Sequence, residues 1–421
     1  MDKIDAKIVA ALRQNAKIDN GLVGVLENKE EKIDALVRVR NPLQLGLLER
    51  NFDVIKSYPF IRSVGIKCGL GEAIRLERMQ EVEYVSAQST VFALSDFDEK
   101  NGKYDGNVGN CNKCDNGRNS RSVGNVGNRE KYINGGNNEK VINNEKAYSN
   151  GMFSQYPIAK FSKELTGEGV TLCVMDTGIN PHCDLSVPRN RIVHFEDMVG
   201  GEVKPYDDNG HGTFVAGVAC GDGFTSAREV VGVAPKANVL GIKVIGDKGE
   251  SGTFKILDGM QWLFDNFRQY GVKVVCMSFG AEPLSYADPL KIGVEMLSRS
   301  GLIVVAAAGN SGENSLKSPA ISNEIIAVGA VDKEDRIAEF SSRGVYQGAK
   351  RPDVYADGIK VKGIKAGGSY TYMSGTSVAA PYVAGACCLL CEKYRNLTPY
   401  QAKQAVLYHS SVVGDALIFR V

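Results

Sequence analysis

The chain has 421 residues, of which 43% are hydrophobic and 24% charged. This is an ordinary globular balance, long enough for two or more domains. The formal net charge of +1 excludes a strong global field that would gather nucleic acid or anionic membranes, and no apolar run approaches the roughly 20 residues that span a bilayer. We therefore expect no nucleic-acid and no membrane partner.

The N-terminus opens on Met1, Asp2, Lys3, Ile4 and Asp5, which mix both charge signs. The apolar run Ile8, Val9, Ala10, Ala11, Leu12 is too short for a signal-peptide core, and Arg13 interrupts it. The expectation is a cytoplasmic protein, with non-classical export or a truncated precursor as the alternative. Among the 10 cysteines, Cys173 and Cys276 sit in apolar strands and Cys387, Cys388 and Cys391 on an apolar helix. They read as small buried hydrophobes rather than a disulfide framework, which favours a reducing compartment.

Residues 33–94 read as a small α+β unit. Ala35, Leu36, Val37, Arg38 and Val39 alternate as a strand. Residues 44–58 carry Leu45, Leu47, Leu48, Phe52 and Ile55 at helical spacing. Residues 63–68 return as a strand, residues 71–79 are helical, and a last extended segment runs from Val82 to about Leu94. Helices alternating with strands in this way give a ferredoxin-like pattern. We assign residues 1–95 to this first domain, with a further helix at its start.

Asn and Gly dominate residues 96–150, a composition that cannot bury enough surface to offset its ordering entropy. We read this stretch as a disordered linker open to cleavage. Its Cys111 and Cys114 lack the two further ligands zinc needs.

Residues 151–421 form the second domain. Near-continuous apolar strands at 170–175, 239–244, 272–278 and 302–308 alternate with helices at 211–220, 254–267, 289–299 and 377–393. This indicates an α/β domain with a parallel sheet covered by helices on both faces. Asp176, Ser278 and Asn310 fall at strand ends, where such sheets place their sites.

Three glycine-bearing segments supply an Asp, a His and a Ser: Asp176-Thr177-Gly178, His211-Gly212-Thr213 and Gly375-Thr376-Ser377. Serine is a weak nucleophile at neutral pH unless a base takes its proton, histidine is the natural base, and a buried carboxylate fixes its tautomer. Ser377 opens a helix, where unpaired N–H groups and the positive dipole end favour developing negative charge. Of the four histidines only His211 has this setting. His182, in a turn after Pro181, is expected at the surface. His194 reads as a structural residue and His409 as part of a helix–loop junction.

These segments, together with Gly232-Val233-Ala234-Pro235, Ser278-Phe279-Gly280, Ala308-Gly309-Asn310, Phe340-Ser341-Ser342 and Val378-Ala379-Ala380-Pro381, resemble subtilisin-like serine proteases. The family also has the chain order Asp, His, Ser. The resemblance implies a serine endopeptidase acting on polypeptides, with Asp176, His211 and Ser377 as the triad and Asn310 as oxyanion donor. It implies that Ser278, Phe279 and Gly280 on one side, and Gly252 and Thr253 on the other, flank an extended substrate, and that residues 311–319 shape the pocket before the cut. The first domain resembles the family's propeptide, which implies an intramolecular inhibitor and a self-processing zymogen. If it ends at Leu94, then Val91, Phe92, Ala93 and Leu94 fill the cleft, and apolar residues are accepted before the scissile bond. No cofactor is implied. Structural calcium is possible at an unknown site: residues 221–231 replace the loop that binds it in secreted relatives and offer only Asp222 and Glu229, leaving the vicinity of Asp207 and Asp208. Tyr382 stands where many relatives have a histidine outside the triad. The competing reading is a catalytically silent binding or regulatory protein on the same fold.

Overall fold

The computed structural model describes residues 3–28, 32–94, 96–97, 164–284 and 287–421. Nearly all of the Asn/Gly-rich stretch, including Cys111 and Cys114, lies outside them.

The N-terminal unit is an antiparallel sheet of four strands in the order Val54–Tyr58, Ser63–Cys68, Ile33–Val39, Val82–Ala87. Period-2 alternation splits the central strand between two environments. Ala35, Val37 and Val39 pack under helices Leu45–Asn51, Leu70–Arg78, Lys3–Arg13 and Asn20–Asn28. Leu36, with Tyr58, Phe60 and Ile61, joins the core of the larger domain instead.

The single helix expected over residues 44–58 is two elements. Helix Leu45–Asn51 stops at Phe52, which is extended (φ −133°, ψ 159°), and Val54–Tyr58 is a strand paired with Ser63–Cys68. The apolar spacing continued past Asn51 by coincidence. The backbone of Val54 and Ile55 follows the sheet edge, and Pro59 disfavours helical geometry at Tyr58.

The large domain is built on a nine-stranded sheet. Its middle runs Val354–Asp357, Ile326–Val331, Ile303–Ala307, Val272–Met277, Thr171–Asp176, Asn238–Lys243, Ile192–Asp197, all parallel. Every residue of Thr171–Asp176 and of Ile326–Val331 is buried, as expected of strands covered twice. Helices His211–Cys220, Thr376–Lys393 and Pro399–Tyr408 contribute to the core on one face. Helices Thr253–Asn266 and Pro289–Arg299 contribute to the core on the other. The second core also receives the N-terminal unit, where the Phe60 and Phe264 rings lie 5.7 Å apart. The α/β architecture and the small α+β unit before it are as expected.

Cys173, Cys276, Cys387, Cys388 and Cys391 are buried free thiols. Burial pushes the Cys391 thiol up to about 12. His182 is not at the surface: it is 1% exposed. Its Nδ1 accepts from the Asp184 N–H at 3.1 Å, capping a short helical turn (Cys183–Ser186) that the sequence pattern had hidden.

Candidate active site

Asp176 ends its strand, and the following loop folds back on its carboxylate. The Thr177 N–H donates to Asp176 Oδ1 at 2.7 Å, and His211 Nδ1 donates to the same oxygen at 2.7 Å. Helix His211–Cys220 can come this close because Gly212 has no side chain: a Cβ there would stand 2.2 Å from the Gly178 carbonyl oxygen. Burial lowers the basicity of the His211 imidazole, but the charge and hydrogen bond of Asp176 outweigh it, with help from Asp207, and leave it above its ordinary value. The tautomer is set by the carboxylate, so Nε2 is the free basic nitrogen.

Ser377 is the second residue of helix Thr376–Lys393. Pro381, one turn later, has no N–H to give the Ser377 carbonyl. The Ser278 hydroxyl donates to that carbonyl instead, at 2.9 Å. Asn310 follows strand Ile303–Ala307. Its Oδ1 accepts from the Thr376 N–H and hydroxyl, both at 2.9 Å, which turns its Nδ2 toward Ser377.

The first domain ends in this space. Strand Thr90–Ala93 lies antiparallel between Glu250–Gly252 and Phe279–Gly280, with Gly252 opposite Thr90, Phe279 opposite Ala93 and Gly280 opposite Phe92. Thr253 donates its N–H to the Ser89 carbonyl at 3.0 Å. Val91 is buried and Phe92 is exposed, the alternation of an inserted strand. The Leu94 carbonyl oxygen accepts from Asn310 Nδ2 at 2.7 Å and from the Ser377 N–H at 3.4 Å. Further along the chain, residues Asp96 and Phe97 pair with Ser374 and Met373. A Cβ on Gly375 would sit 2.5 Å from the Leu94 oxygen, 3.0 Å from Ser377 Oγ and 3.1 Å from Asn310 Nδ2. Only glycine leaves room for those three atoms to converge. Ser377 Oγ and His211 Nε2 are buried with no hydrogen-bond partner among the described residues.

A buried carboxylate–imidazole pair, and a helix-opening serine whose N–H holds a carbonyl together with Asn310 Nδ2, are an inventory suited to acyl transfer. The Subtilase family model matches residues 167–419. The chain belongs to the subtilase family. By that membership it is a serine-type endopeptidase. It is 37% identical over 279 residues to serine protease AprX of Bacillus subtilis (strain 168), covering 59% of this chain and 62% of AprX. It is 33% identical over 261 residues to Subtilisin Savinase of Lederbergia lenta, covering 62% and 90%. Among solved structures, a cold adapted subtilisin-like serine proteinase superposes with a TM-score of 0.53 at 30% identity, covering 62% of this chain and 91% of that one.

Subtilases need no cofactor, and no cluster of metal-ligating side chains occurs among the described residues of this chain. The carboxylates considered for calcium are engaged within the protein. Asp207 accepts from Thr177, Asn209, Gly210 and Thr213. The buried ammonium of Lys243 donates to Asp208 Oδ1 at 2.7 Å and to the Thr177 and Ile245 carbonyls at 2.5 and 3.0 Å. Tyr382, at this subtilase's departure from histidine, accepts from the Val421 N–H at 2.9 Å.

Thr177, Thr376 and Lys243 were missed in the sequence reading. Each acts on the site through a neighbour's polar atom, and a threonine or lysine carries no mark of that in its local pattern.

Proposed function

We propose that this subtilase is made as a self-inhibited zymogen, that its first domain up to Leu94 is its propeptide, and that it cuts its own chain between Leu94 and Ser95. The observation that carries this reading is the Leu94 carbonyl oxygen held by Asn310 Nδ2 and the Ser377 N–H. The same contacts block the cleft to other polypeptides until the segment leaves.

In the reaction, His211 Nε2 takes the Ser377 hydroxyl proton as Oγ bonds to the Leu94 carbonyl carbon. Asp176 holds the resulting imidazolium. The oxygen becomes an oxyanion, and a side-chain donor such as Asn310 contributes about 3–4 kcal/mol to its stabilisation. The C–N bond then breaks, and His211 returns the proton to the Ser95 amine. Water, deprotonated by the same imidazole, releases the acyl group from Ser377. Other polypeptides would follow the same course once the cleft opens, adding as a strand where Thr90–Ala93 now lies.

Intact mass of the purified chain beside Ser377→Ala tests this. The expected result is a split after Leu94 in the parent and a full-length mutant. If both stay intact and neither reacts with a fluorophosphonate, the silent binding-protein reading replaces this one.

A further inference from the structure

Arg351 closes strand Ala349–Arg351, which pairs with Gly344–Tyr346, and its side chain is 1% exposed. Its Nη1 pairs with Asp353 Oδ1. The ammonium of Lys403, on helix Pro399–Tyr408, reaches the same oxygen at 2.8 Å and donates to the Asn323 and Ile325 carbonyls at 3.0 and 2.8 Å. The other carboxylate oxygen accepts from the Ala327 N–H at 2.8 Å. Lys403 therefore has an acceptor for each of its three protons, and both oxygens of Asp353 are taken.

One edge of the guanidinium is left over. Arg351 Nε and Nη2 are buried and find no acceptor among the described residues. These two nitrogens direct parallel N–H bonds the same way, the fork with which arginine grips an oxyanion. The charges agree with the geometry. Two cations share one carboxylate, so the cluster is net positive in a place where an unbalanced charge is costly. Burial works against the charge of both side chains, Asp353 opposes it, and at Lys403 the neighbouring guanidinium adds to it. Arginine keeps its proton regardless.

We propose that Arg351 Nε and Nη2 bind a small monovalent anion, chloride or an oxyanion of nitrate size, which balances the second cation of the cluster. Both nitrogens are shut off from solvent, so a bulky anion is refused. The bound ion stabilises the packing of helix Pro399–Tyr408 against the main sheet, which Lys403 and Asp353 anchor. It takes no part in peptide hydrolysis, so this inference stands apart from the zymogen reading.

The test is thermal unfolding of the full chain carrying Ser377→Ala, which removes self-cleavage as a variable. Sodium gluconate is exchanged stepwise for sodium chloride at constant ionic strength. An ion that binds only the folded chain raises Tm by mass action. The expected result is a rise that saturates and that nitrate reproduces. Arg351→Lys keeps the charge without the fork, and the rise should disappear. Lys403→Met leaves Arg351 and Asp353 as a balanced pair, and half-saturating chloride should increase about tenfold, the scale of one moderately screened charge. Should Arg351→Lys not fold, Lys403→Met decides alone. A Tm that ignores chloride means that water fills the fork, and overturns the proposal. So does a rise that never saturates, or one with the same half-saturation in the parent and in Lys403→Met, since a general salt effect then explains it.

Discussion

The Ser278 hydroxyl donates to the backbone carbonyl of Ser377 at 2.9 Å, filling the hydrogen bond that Pro381 cannot make. One residue thus ties the end of strand Val272–Met277 to the first turn of helix Thr376–Lys393. Ser278→Ala leaves a buried carbonyl without a donor, at a cost of about 1–3 kcal/mol. The expected outcome is a lower midpoint in chemical denaturation and a several-fold lower kcat. An unchanged midpoint would show that the helix does not need this anchor.

Asn310→Ala removes one of the two donors to the Leu94 oxygen. Processing and peptide hydrolysis should fall by about 10²–10³ in kcat with little change in KM, since the donor acts mainly on the developing charge. Thr376→Val keeps the backbone donor to Asn310 Oδ1 but loses the hydroxyl donor. A loss of about tenfold is expected, the scale of one net hydrogen bond. Steady-state kinetics on the processed enzyme distinguish the two variants.

His211 stands above its ordinary value because Asp176 outweighs burial. A general base must be unprotonated, so the acidic limb of kcat/KM should lie above about 6.5, the unperturbed histidine value. Asp176→Asn should abolish most activity along with that limb. A limb below 6.5 in the parent would contradict the ordering of burial and charge drawn from the structure.

Two buried histidines should act on stability with opposite signs. Burial lowers His182, and Asp184 only partly compensates. Its contribution is complete above about 6.5 and is lost as pH falls below that value, because the unfolded chain takes up the proton more readily. His211, raised, contributes below 6.5 and loses that contribution as pH rises through its folded value. Melting temperatures of Ser377→Ala from pH 5 to 8 should show a steeper acid loss than those of the double variant with His182→Asn. Parallel curves would show that His182 is not coupled to unfolding.

Asp258 joins the two domains. It accepts from the Tyr58 hydroxyl at 3.0 Å and pairs with Lys56 at 2.8 Å. Tyr58→Phe removes the more buried of these contacts, and the N-terminal unit should then inhibit the processed enzyme about tenfold less well, as expected for a hydrogen bond to a charged group. Inhibition assays with residues 1–94 added in trans measure this. An unchanged inhibition constant would show that the inserted strand Thr90–Ala93 alone supplies the binding.

Subtilase membership and the residues proposed to carry its chemistry were legible in the residue order. Asp176, His211, Ser377 and Asn310 lie in short glycine-bearing segments whose local backbone is dictated by a few neighbours, so their types and spacing carry information without the fold. The strands of the main sheet were legible for the same reason, since burial on both faces leaves an unbroken apolar run. What tertiary structure alone decided was where distant polar atoms meet. The strand Val54–Tyr58 looked helical until a neighbouring strand claimed its hydrogen bonds. His182 looked like a surface turn residue until Tyr370, whose ring lies 5.8 Å away, and the Asp184 N–H enclosed it. Lys243 and Thr376 gained their places from partners as many as 67 residues away. The insertion of Leu94 between Asn310 and Ser377 depends on two domains packing together. Local sequence sets backbone preference and hydrophobic period, whereas the pairing of buried donors with acceptors is a property of the packed whole, in which every such group must find a partner.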